Sequence, residues 1–152
     1  MKKIIYKFIL LTGIFFCAAV ILNSCSKADA NINSSAAVKE YFLNNMLGRD
    51  LTVAFAKDEN TAITAMFAGY NFRFTATTAS AGTATVSNDL FAVNGTWDIN
   101  TTNNTINFNF PVNIITSLVF INKEWLFANR NAATIILTAT NGETDELHFV
   151  IK

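Results

Sequence analysis

Few side chains in this sequence are of the types that perform catalysis or bind metal ions. His148 is the only histidine, whereas zinc sites in proteins use three or four histidine, cysteine or carboxylate ligands. Serine and cysteine nucleophiles also need a neighbouring base and a third group that orients it. Because side chains alternate in direction along a strand, His148 should point away from the face that holds Leu147 and Phe149. We therefore expect His148 to be a surface residue of a strand, and the sequence predicts neither an enzyme nor a metal site.

Adjacent acidic residues occur at Asp58-Glu59 and again at Asp145-Glu146. Neighbours on a strand point to opposite faces, so neither pair would present two carboxylates to one substrate as a glycosidase does. A calcium loop places alternate oxygen ligands around a glycine, and residues 141–146 show this pattern only in part. A solvated hairpin turn is the simpler interpretation of that segment, and no cofactor is predicted.

Aromatic residues are the remaining side chains that could form a binding site, because rings around a concavity bind apolar molecules and sugars. The candidates for ligand binding are Tyr70, Phe72, Trp97, Phe108 and Trp125. Core packing accounts for the same residues, since a domain of this size must bury most of its large aromatic side chains to be stable. The residues themselves leave both interpretations open.

The first element that would position these rings is a helix. Apolar residues recur at helical spacing after two serines, Ser34 and Ser35, either of which can cap a helix. The pattern stops at Gly48, where a helix would end. One short amphipathic helix is predicted, with the apolar positions Val38, Tyr41, Phe42 and Met46.

Beyond Gly48 the period of the apolar residues changes to two, which is typical of strands with one buried face. Turn residues separate the runs about every ten positions, which indicates an antiparallel meander. Asn141-Gly142 predicts a tight type I′ hairpin turn. Asn94-Gly95 could be another turn, but the alternation continues through it and favours a β-bulge within one long strand. Residues 112–119, after the single proline Pro111, form an apolar connection that could be a lid, an interface or core. The predicted strands cover residues 51–56, 70–75, 83–86, 90–99, 105–110, 124–129, 133–140 and 143–151.

The N-terminus has the layout of an export signal. Basic residues precede an apolar run over residues 8–22, which is shorter than the roughly 20 residues that a membrane-spanning helix needs. Leu22-Asn23-Ser24-Cys25 resembles the lipobox of bacterial lipoproteins. The resemblance implies cleavage before Cys25 and acylation of that residue, and several acyl chains make such an anchor stable. The sequence thus predicts a signal peptide over 1–24, a lipidated flexible tether over 25–34 and a single β domain over 35–152.

The charge and cysteine content of the mature chain exclude some kinds of partner and cross-link. Removal of residues 1–24 leaves eight basic and eleven acidic residues, a net charge of −3, so no binding to nucleic acid is expected. Cys17 would be removed and Cys25 acylated, so the domain would contain no disulfide. About 128 residues are enough to build one core.

An ordered series of motifs runs along the predicted strands. The motifs are residues 67–74 (FAGYNFRF), 95–97 (GTW), 106–111 (INFNFP), Trp125 and residues 145–149 (DELHF). This series resembles the small lipocalin-like lipoproteins of Bacteroidetes. The resemblance spans residues 48–152 and implies an antiparallel barrel of about eight strands with a small apolar cavity. Members of this family mostly lack an assigned activity, so no catalytic residue is carried over.

Together these features predict a lipid-anchored protein of the cell envelope, attached through Cys25 to the outer membrane on a side that the sequence does not define. As a carrier it would bind a small apolar molecule or an envelope partner, with the candidate rings around a partly empty barrel. The alternative is a structural or protein-interaction module whose barrel is filled.

Overall fold

The computed structural model describes residues 33–111 and 115–152 of the chain. The predicted signal peptide and the predicted lipidation site, Cys25, lie outside the described residues. Within the described part of the chain, no helix is long and apolar enough to cross a membrane.

The predicted N-terminal helix is present. Helix α1 spans Ser35–Tyr41 and continues as a π-helical turn over Phe42–Met46. Ser34 caps the helix, because its side-chain oxygen accepts a hydrogen bond from the amide of Ala37 at 3.3 Å. Gly48 follows with a φ of +74°, a conformation that favours glycine and leads the chain into the first strand. The buried face of the helix consists of Val38, Phe42 and Met46.

Strands with alternating burial make up most of the remaining chain, as the period of two predicts. A 3₁₀ turn over Thr64–Phe67 and a short helix α2 over Leu118–Ile121 interrupt them. Neither of these turns was predicted, and neither was a two-residue strand over Thr61–Ala62. The strands are β1 (Asp50–Asp58), β2 (Thr61–Ala62), β3 (Asn71–Ala76), β4 (Ala81–Ser87), β5 (Ala92–Asn100), β6 (Thr105–Asn109), β7 (Glu124–Arg130), β8 (Thr134–Ala139) and β9 (Glu146–Ile151).

The strands form one antiparallel sheet that closes into a barrel. Each strand from β3 to β8 pairs with the next along the chain, and β1 pairs with both β3 and β9. Because β1 bonds to both neighbours, the two edges that an open sheet would have are joined. Strand β2 adds only to the last residues of β1. The prediction of a mostly β, eight-stranded antiparallel barrel with one short helix is confirmed.

The two ends of the barrel differ in what covers them. Helix α1 covers one end, which we call the helix end. Lys39 Nζ donates a hydrogen bond to Oδ1 of Asn104, in the β5–β6 turn, at 3.0 Å. Tyr41 Oη donates a hydrogen bond to the carbonyl oxygen of Ala132, in the β7–β8 turn, at 2.7 Å. The antiparallel order places the β1–β2, β4–β5 and β8–β9 turns at the opposite end, the mouth. The 3₁₀ turn and the described residues of the β6–β7 connection also lie at the mouth.

Aromatic rings pack inside the barrel. Phe42 enters from the helix end, and its ring centroid lies 5.7 Å from each of those of Phe74, Trp97 and Phe127. Phe74 in turn stacks on Phe108 at 5.2 Å. Such ring pairs contribute about 0.5–1.5 kcal/mol each beyond the burial of their area. The inward positions of the strands and the helix therefore form one continuous hydrophobic core.

The predicted bulge at Asn94-Gly95 is wrong. Strand β5 runs through both residues, as predicted, but its pairing with β4 stays in register along its whole length. The glycine is explained by close approach of β6 instead, because a Cβ on Gly95 would lie 2.4 Å from the carbonyl oxygen of Asn109. Register shifts occur in the β1–β9 and β7–β8 pairs, where the sequence gives no glycine signal.

The β8–β9 turn also differs from its prediction. Residues 140–145 connect the strands, so the loop is longer than a two-residue turn. Gly142 has a φ of +85°, but Asn141 is not in the left-handed region, so the type I′ turn, which needs positive φ at both positions, does not form. The longer loop allows Thr144 Oγ1 to donate to the carbonyl oxygen of Glu59 at 2.9 Å.

Candidate functional site

The five aromatic residues predicted to bind a ligand do not share one accessible surface. Phe72, Trp97, Phe108 and Trp125 are almost wholly buried in the core. Tyr70 is half-buried at the mouth, where its ring centroid lies 5.8 Å from that of Phe91 on the β4–β5 turn. A ligand could reach Tyr70 without rearrangement of the core, whereas access to the other four requires movement of rings that pack against one another.

The two tryptophans differ in the partners of their indole N–H groups. Trp125 Nε1 donates to the carbonyl oxygen of Ile121 at 2.9 Å, which fastens α2 to β7. Trp97 Nε1 is buried and has no hydrogen-bond partner among residues 33–111 and 115–152. An unpaired buried donor costs free energy, and burial of the large Trp97 ring must offset that cost.

An apolar groove, the mouth groove, lies between the 3₁₀ turn and the β6–β7 connection. It consists of two adjacent hollows of about 280 and 400 Å³ that share Met66, Thr116 and Ser117. The larger volume lies within the range of ligand sites in proteins, about 300–1,000 Å³. The larger hollow is also lined by Tyr70, Phe91 and Ile115, and the smaller by Asp58, Ile63, Val119, Phe120 and Lys123.

Three large apolar side chains are exposed in the described part of the chain, and all three surround the mouth. Met66 is 50% exposed, Val119 is 55% exposed and Leu90 is 90% exposed. Met66 and Val119 line the mouth groove, and Leu90 precedes Phe91, which lines its larger hollow. Apolar side chains grouped on a surface are typical of binding sites. The exposed apolar surface of the barrel is therefore concentrated where the groove is.

Ser117 gives the mouth groove an unsatisfied polar group. The residue is 6% exposed, and its Oγ has no hydrogen-bond partner within the described ranges. A buried hydroxyl that lacks a partner costs about 1–3 kcal/mol, and buried polar groups in native proteins are normally paired. Because the Oγ is itself buried, a ligand in the groove would reach it only if the Ser117 side chain turned outward.

A cluster of charged residues joins the loops beside the mouth groove. Asp145 of the β8–β9 turn is buried and forms an ion pair with Lys123 of the β6–β7 connection. Its Oδ1 also accepts a hydrogen bond from the amide of Glu59 in the β1–β2 turn at 2.6 Å. Glu143 accepts a further hydrogen bond from Lys123 Nζ at 3.1 Å. Three loops that are far apart in sequence are thus held together.

Lys123 also contacts two aromatic rings. Its Nζ lies 5.0 Å from the ring centroid of Phe120 and 5.5 Å from that of Trp125, distances at which a cation is attracted to a ring face. The prediction of a solvated turn over residues 141–146 is wrong for Asp145, whose side chain is 0% exposed. Burial of this carboxylate is possible because Lys123 neutralises its charge and the backbone supplies a donor.

The charged cluster shifts the pKa values of both partners. Burial alone would raise the pKa of the Asp145 carboxyl, but the Glu59 amide and the Lys123 ammonium stabilise the carboxylate, so that pKa lies below its usual value. Burial alone would lower the pKa of Lys123, but hydrogen bonds and attraction to Asp145 and Glu143 hold it above its usual value. Both groups are therefore charged at neutral pH.

The Asp145 ion pair leads us to expect a loss of stability in acid. A carboxyl whose pKa is lowered by folding stabilises the fold above its unfolded pKa, about 3.9, and this contribution is lost as the pH falls through the folded pKa. We expect Asp145→Asn to lower the free energy of unfolding at pH 7, and the difference from the unmutated protein to shrink as the pH falls below about 4. Urea unfolding curves across this range measure both quantities.

Asp98→Asn is the matched control for this acid effect. Asp98 is exposed on β5, and its Oδ1 accepts a long hydrogen bond of 3.5 Å from Asn107. The control should change the free energy of unfolding by less than about 0.5 kcal/mol at either pH. An effect of Asp145→Asn that is equally large at pH 3 and pH 7 would contradict the assignment of a charged, ion-paired Asp145.

His148 lies away from the mouth groove, on the outer face of β9. Its ring centroid is 5.0 Å from that of Phe55 on β1, and its Nε2 contacts a carboxylate oxygen of Glu146. Leu147 and Phe149 beside it are fully buried, so the predicted direction of His148 is confirmed. In the described residues, no group of three histidine, cysteine or carboxylate side chains is placed to hold a metal ion.

The sequence indicates little of the mouth groove. Tyr70 is its one member among the predicted binding residues, while Met66, Ser117 and Val119 belong to no motif. The apolar connection after Pro111 was the one feature of the sequence that indicated this site, because a long apolar loop either covers the core or forms a binding surface. Lys123 and Asp145 could not be paired from the sequence, since nothing local shows that these positions meet.

The fold that positions this site is a closed eight-stranded antiparallel barrel with a helix over one end. A crystal structure of a DUF4847 family protein from Bacteroides vulgatus ATCC 8482, at 1.00 Å resolution, is similar to it, with a TM-score of 0.50 and 16% sequence identity. The match covers 70% of this chain and 94% of that chain. At this identity the similarity shows the fold alone.

Comparisons with protein-family models and with curated proteins give no match to this sequence. The predicted resemblance to a Bacteroidetes family agrees with the structural comparison in one respect, since a Bacteroides protein shares the barrel fold. Lipocalin-like character and lipidation remain predictions.

Proposed function

We propose that this chain is a lipid-anchored protein of the bacterial outer membrane that binds a small apolar molecule in the mouth groove and is not an enzyme. The acylated Cys25 would be the anchor, and residues 26–34 would tether the barrel to the membrane. The observation that carries the binding proposal is the groove itself. Exposed apolar side chains surround it, and the buried Ser117 hydroxyl within it has no partner in the described residues.

The lining of the mouth groove favours an elongated apolar ligand with one hydrogen-bonding group. Met66, Phe91 and Val119 supply apolar surface along both hollows, and removal of such surface from water contributes about 25 cal/mol per Å². Ser117 lines both hollows, and its buried hydroxyl would bond to the polar group of the ligand after turning outward. This arrangement of a largely apolar lining with a few polar groups is typical of small-molecule sites.

The charges around the mouth groove favour a neutral or cationic ligand over an anionic one. Asp58 lines the smaller hollow, and Glu59, Glu143 and Asp145 lie on the neighbouring loops. Lys123 is already engaged by two of these carboxylates. An anionic headgroup would therefore meet a net negative surface, which disfavours its approach.

A filled barrel that acts only through contacts with other envelope proteins is the second candidate function. The packed rings of Phe42, Phe74, Trp97 and Phe108 favour it over a ligand held in the interior. In this alternative the apolar mouth would contact a protein, and no small molecule would be retained.

Binding of a neutral apolar dye distinguishes these candidates. We expect Nile red to bind the purified protein, and Met66→Glu and Val119→Glu each to weaken that binding at least about tenfold, because an ion beside an apolar ligand is poorly solvated. Fluorescence titration gives the dissociation constants. Both side chains are exposed, so neither variant should disturb the core.

Thr102→Glu provides the matched control, since Thr102 is exposed on the β5–β6 turn at the helix end. It adds the same charge and should bind Nile red as the unmutated protein does. Native mass spectrometry of protein purified from a bacterial envelope should also show a retained molecule that is lost in Met66→Glu. Equal dye binding by all four proteins, or no binding by any, would overturn the groove proposal and favour the filled barrel.

A further inference from the structure

The charged residues of the barrel are divided unequally between its two ends. The Arg73–Asp50 ion pair lies where β1 meets β3 and carries no net charge. Of the other described charged side chains, those in the helix-end half are four basic and two acidic, a net charge of +2, whereas those in the mouth half are two basic and seven acidic, a net charge of −5. The basic residues of the helix end are Lys39, Arg49, Arg130 and Lys152. The barrel is thus an electric dipole whose negative end carries the mouth groove.

The predicted tether joins the barrel at the positive end. Helix α1 begins at Ser35, directly after the tether, and its side chains bond to the turns of the helix end through Lys39 and Tyr41. The chain therefore approaches the barrel from the side that α1 covers. The mouth groove lies at the other end of the strands.

The tether is short compared with the barrel. Eight peptide units separate Cys25 from Asn33, and eight units span about 29 Å at most. Strand β5 has nine residues, so the wall of the barrel rises about 20 Å along the axis at the usual strand tilt, and the helix layer adds about 10 Å. Contact between the mouth and the membrane would therefore require the whole reach of the tether, fully stretched along the barrel wall and the helix layer.

We infer that the helix end of the barrel faces an anionic lipid surface and that the mouth groove points away from it. This inference depends on the lipid anchor of the proposed function. Both the short tether and the charge difference favour the same orientation, because anionic headgroups attract the positive end and repel the negative end within about 10 Å. The mouth groove would then be open to the aqueous space.

Fluorescent labels at the two ends test this orientation in the full, membrane-extracted protein. Thr102→Cys marks the helix end and Leu90→Cys the mouth, and acylation of Cys25 would leave the introduced cysteine as the single free thiol. The protein is placed in vesicles of phosphatidylethanolamine and phosphatidylglycerol that contain a headgroup-labelled energy acceptor. We expect greater loss of donor fluorescence at position 102 than at position 90.

Arg49→Glu separates the charge contribution from the tether. Arg49 is exposed where the chain enters β1, so reversal of its charge should reduce the difference between the labels in phosphatidylglycerol vesicles and leave it unchanged in phosphatidylcholine vesicles. Asn60→Glu adds one negative charge at the exposed β1–β2 turn, half the change in charge that Arg49→Glu makes, and should not reduce the difference. A reduction by Asn60→Glu as large as that by Arg49→Glu would overturn the role of the helix-end charge.

The mass of the extracted protein distinguishes a failure of the inference from a failure of the anchor. A mass without acyl groups on Cys25 would overturn the anchor and, with it, the orientation. Acylated protein in which both labels lose equal fluorescence, or in which position 90 loses more, would overturn the orientation while the anchor stands.

Discussion

Phe42→Ala should lower the free energy of unfolding by about 3–5 kcal/mol, the usual cost of truncating a fully buried phenylalanine. Phe42 is 0% exposed, and its ring contacts Phe74, Trp97 and Phe127 on three different strands. Loss of the ring would leave a cavity where α1 meets the barrel. The helical segment would then lose the largest side chain of its buried face, which also includes Val38 and Met46.

Urea unfolding and near-ultraviolet circular dichroism measure the effect of Phe42→Ala. Phe42→Leu keeps most of the volume and should cost less than about 1.5 kcal/mol. Glu40→Ala, at an exposed position of the same helix, is the control and should change the free energy of unfolding by less than about 0.5 kcal/mol. A cost of Phe42→Ala no greater than that of Glu40→Ala would show that α1 is not packed into the barrel.

The parts of the fold that could be predicted from the sequence are those that repeat. Phe72 and Phe74, like Leu147 and Phe149, alternate with polar residues because one face of each strand is buried. The apolar residues from Val38 to Met46 recur at helical spacing for the same reason, because one face of the helix is buried. These patterns involve residues that are close together in the chain, so one sequence is enough to detect them.

Closure of the barrel is not a local property. Strand β1 pairs with β9 between residues as far apart as Leu51 and Ile151, and no period in the chain shows that these strands meet. The closed barrel was expected from the resemblance to a known family, whereas the alternation alone predicts a meander. The short pairing of β1 with β3 and the addition of β2 could not be predicted for the same reason.

The candidate site was less predictable than the fold because loops build it. Alternation shows that Phe72 and Trp97 point inward, but it does not show whether the space they point into is filled. The turn at Asn141-Gly142 has the residues of a tight hairpin, yet contacts between the β8–β9 and β1–β2 turns determine its length. Burial of Asp145 depends on Lys123, which comes from a different loop.

Gly82→Ala should be among the most destabilising single substitutions in the barrel, with a cost of about 3 kcal/mol or more. A Cβ at this position would lie 1.9 Å from the carbonyl oxygen of Thr75 and 2.9 Å from the Cα of Ala76. These atoms belong to the backbone of β3, so no rotation of a side chain can relieve the clash. Strands β3 and β4 would have to separate next to the position where Gly82 faces Trp97.

Two further variants, Gly95→Ala and Thr83→Ala, allow the losses of unfolding free energy to be ranked. A Cβ on Gly95 would lie 2.4 Å from a backbone oxygen of Asn109, a less severe overlap, so Gly95→Ala should cost less than Gly82→Ala. Thr83 follows Gly82 on β4 but faces the other way, and its substitution should cost no more than about 1 kcal/mol. Urea unfolding of the three variants gives the order. Equal free energies of unfolding for Gly82→Ala and Thr83→Ala would contradict the close approach of β3 and β4 at Gly82.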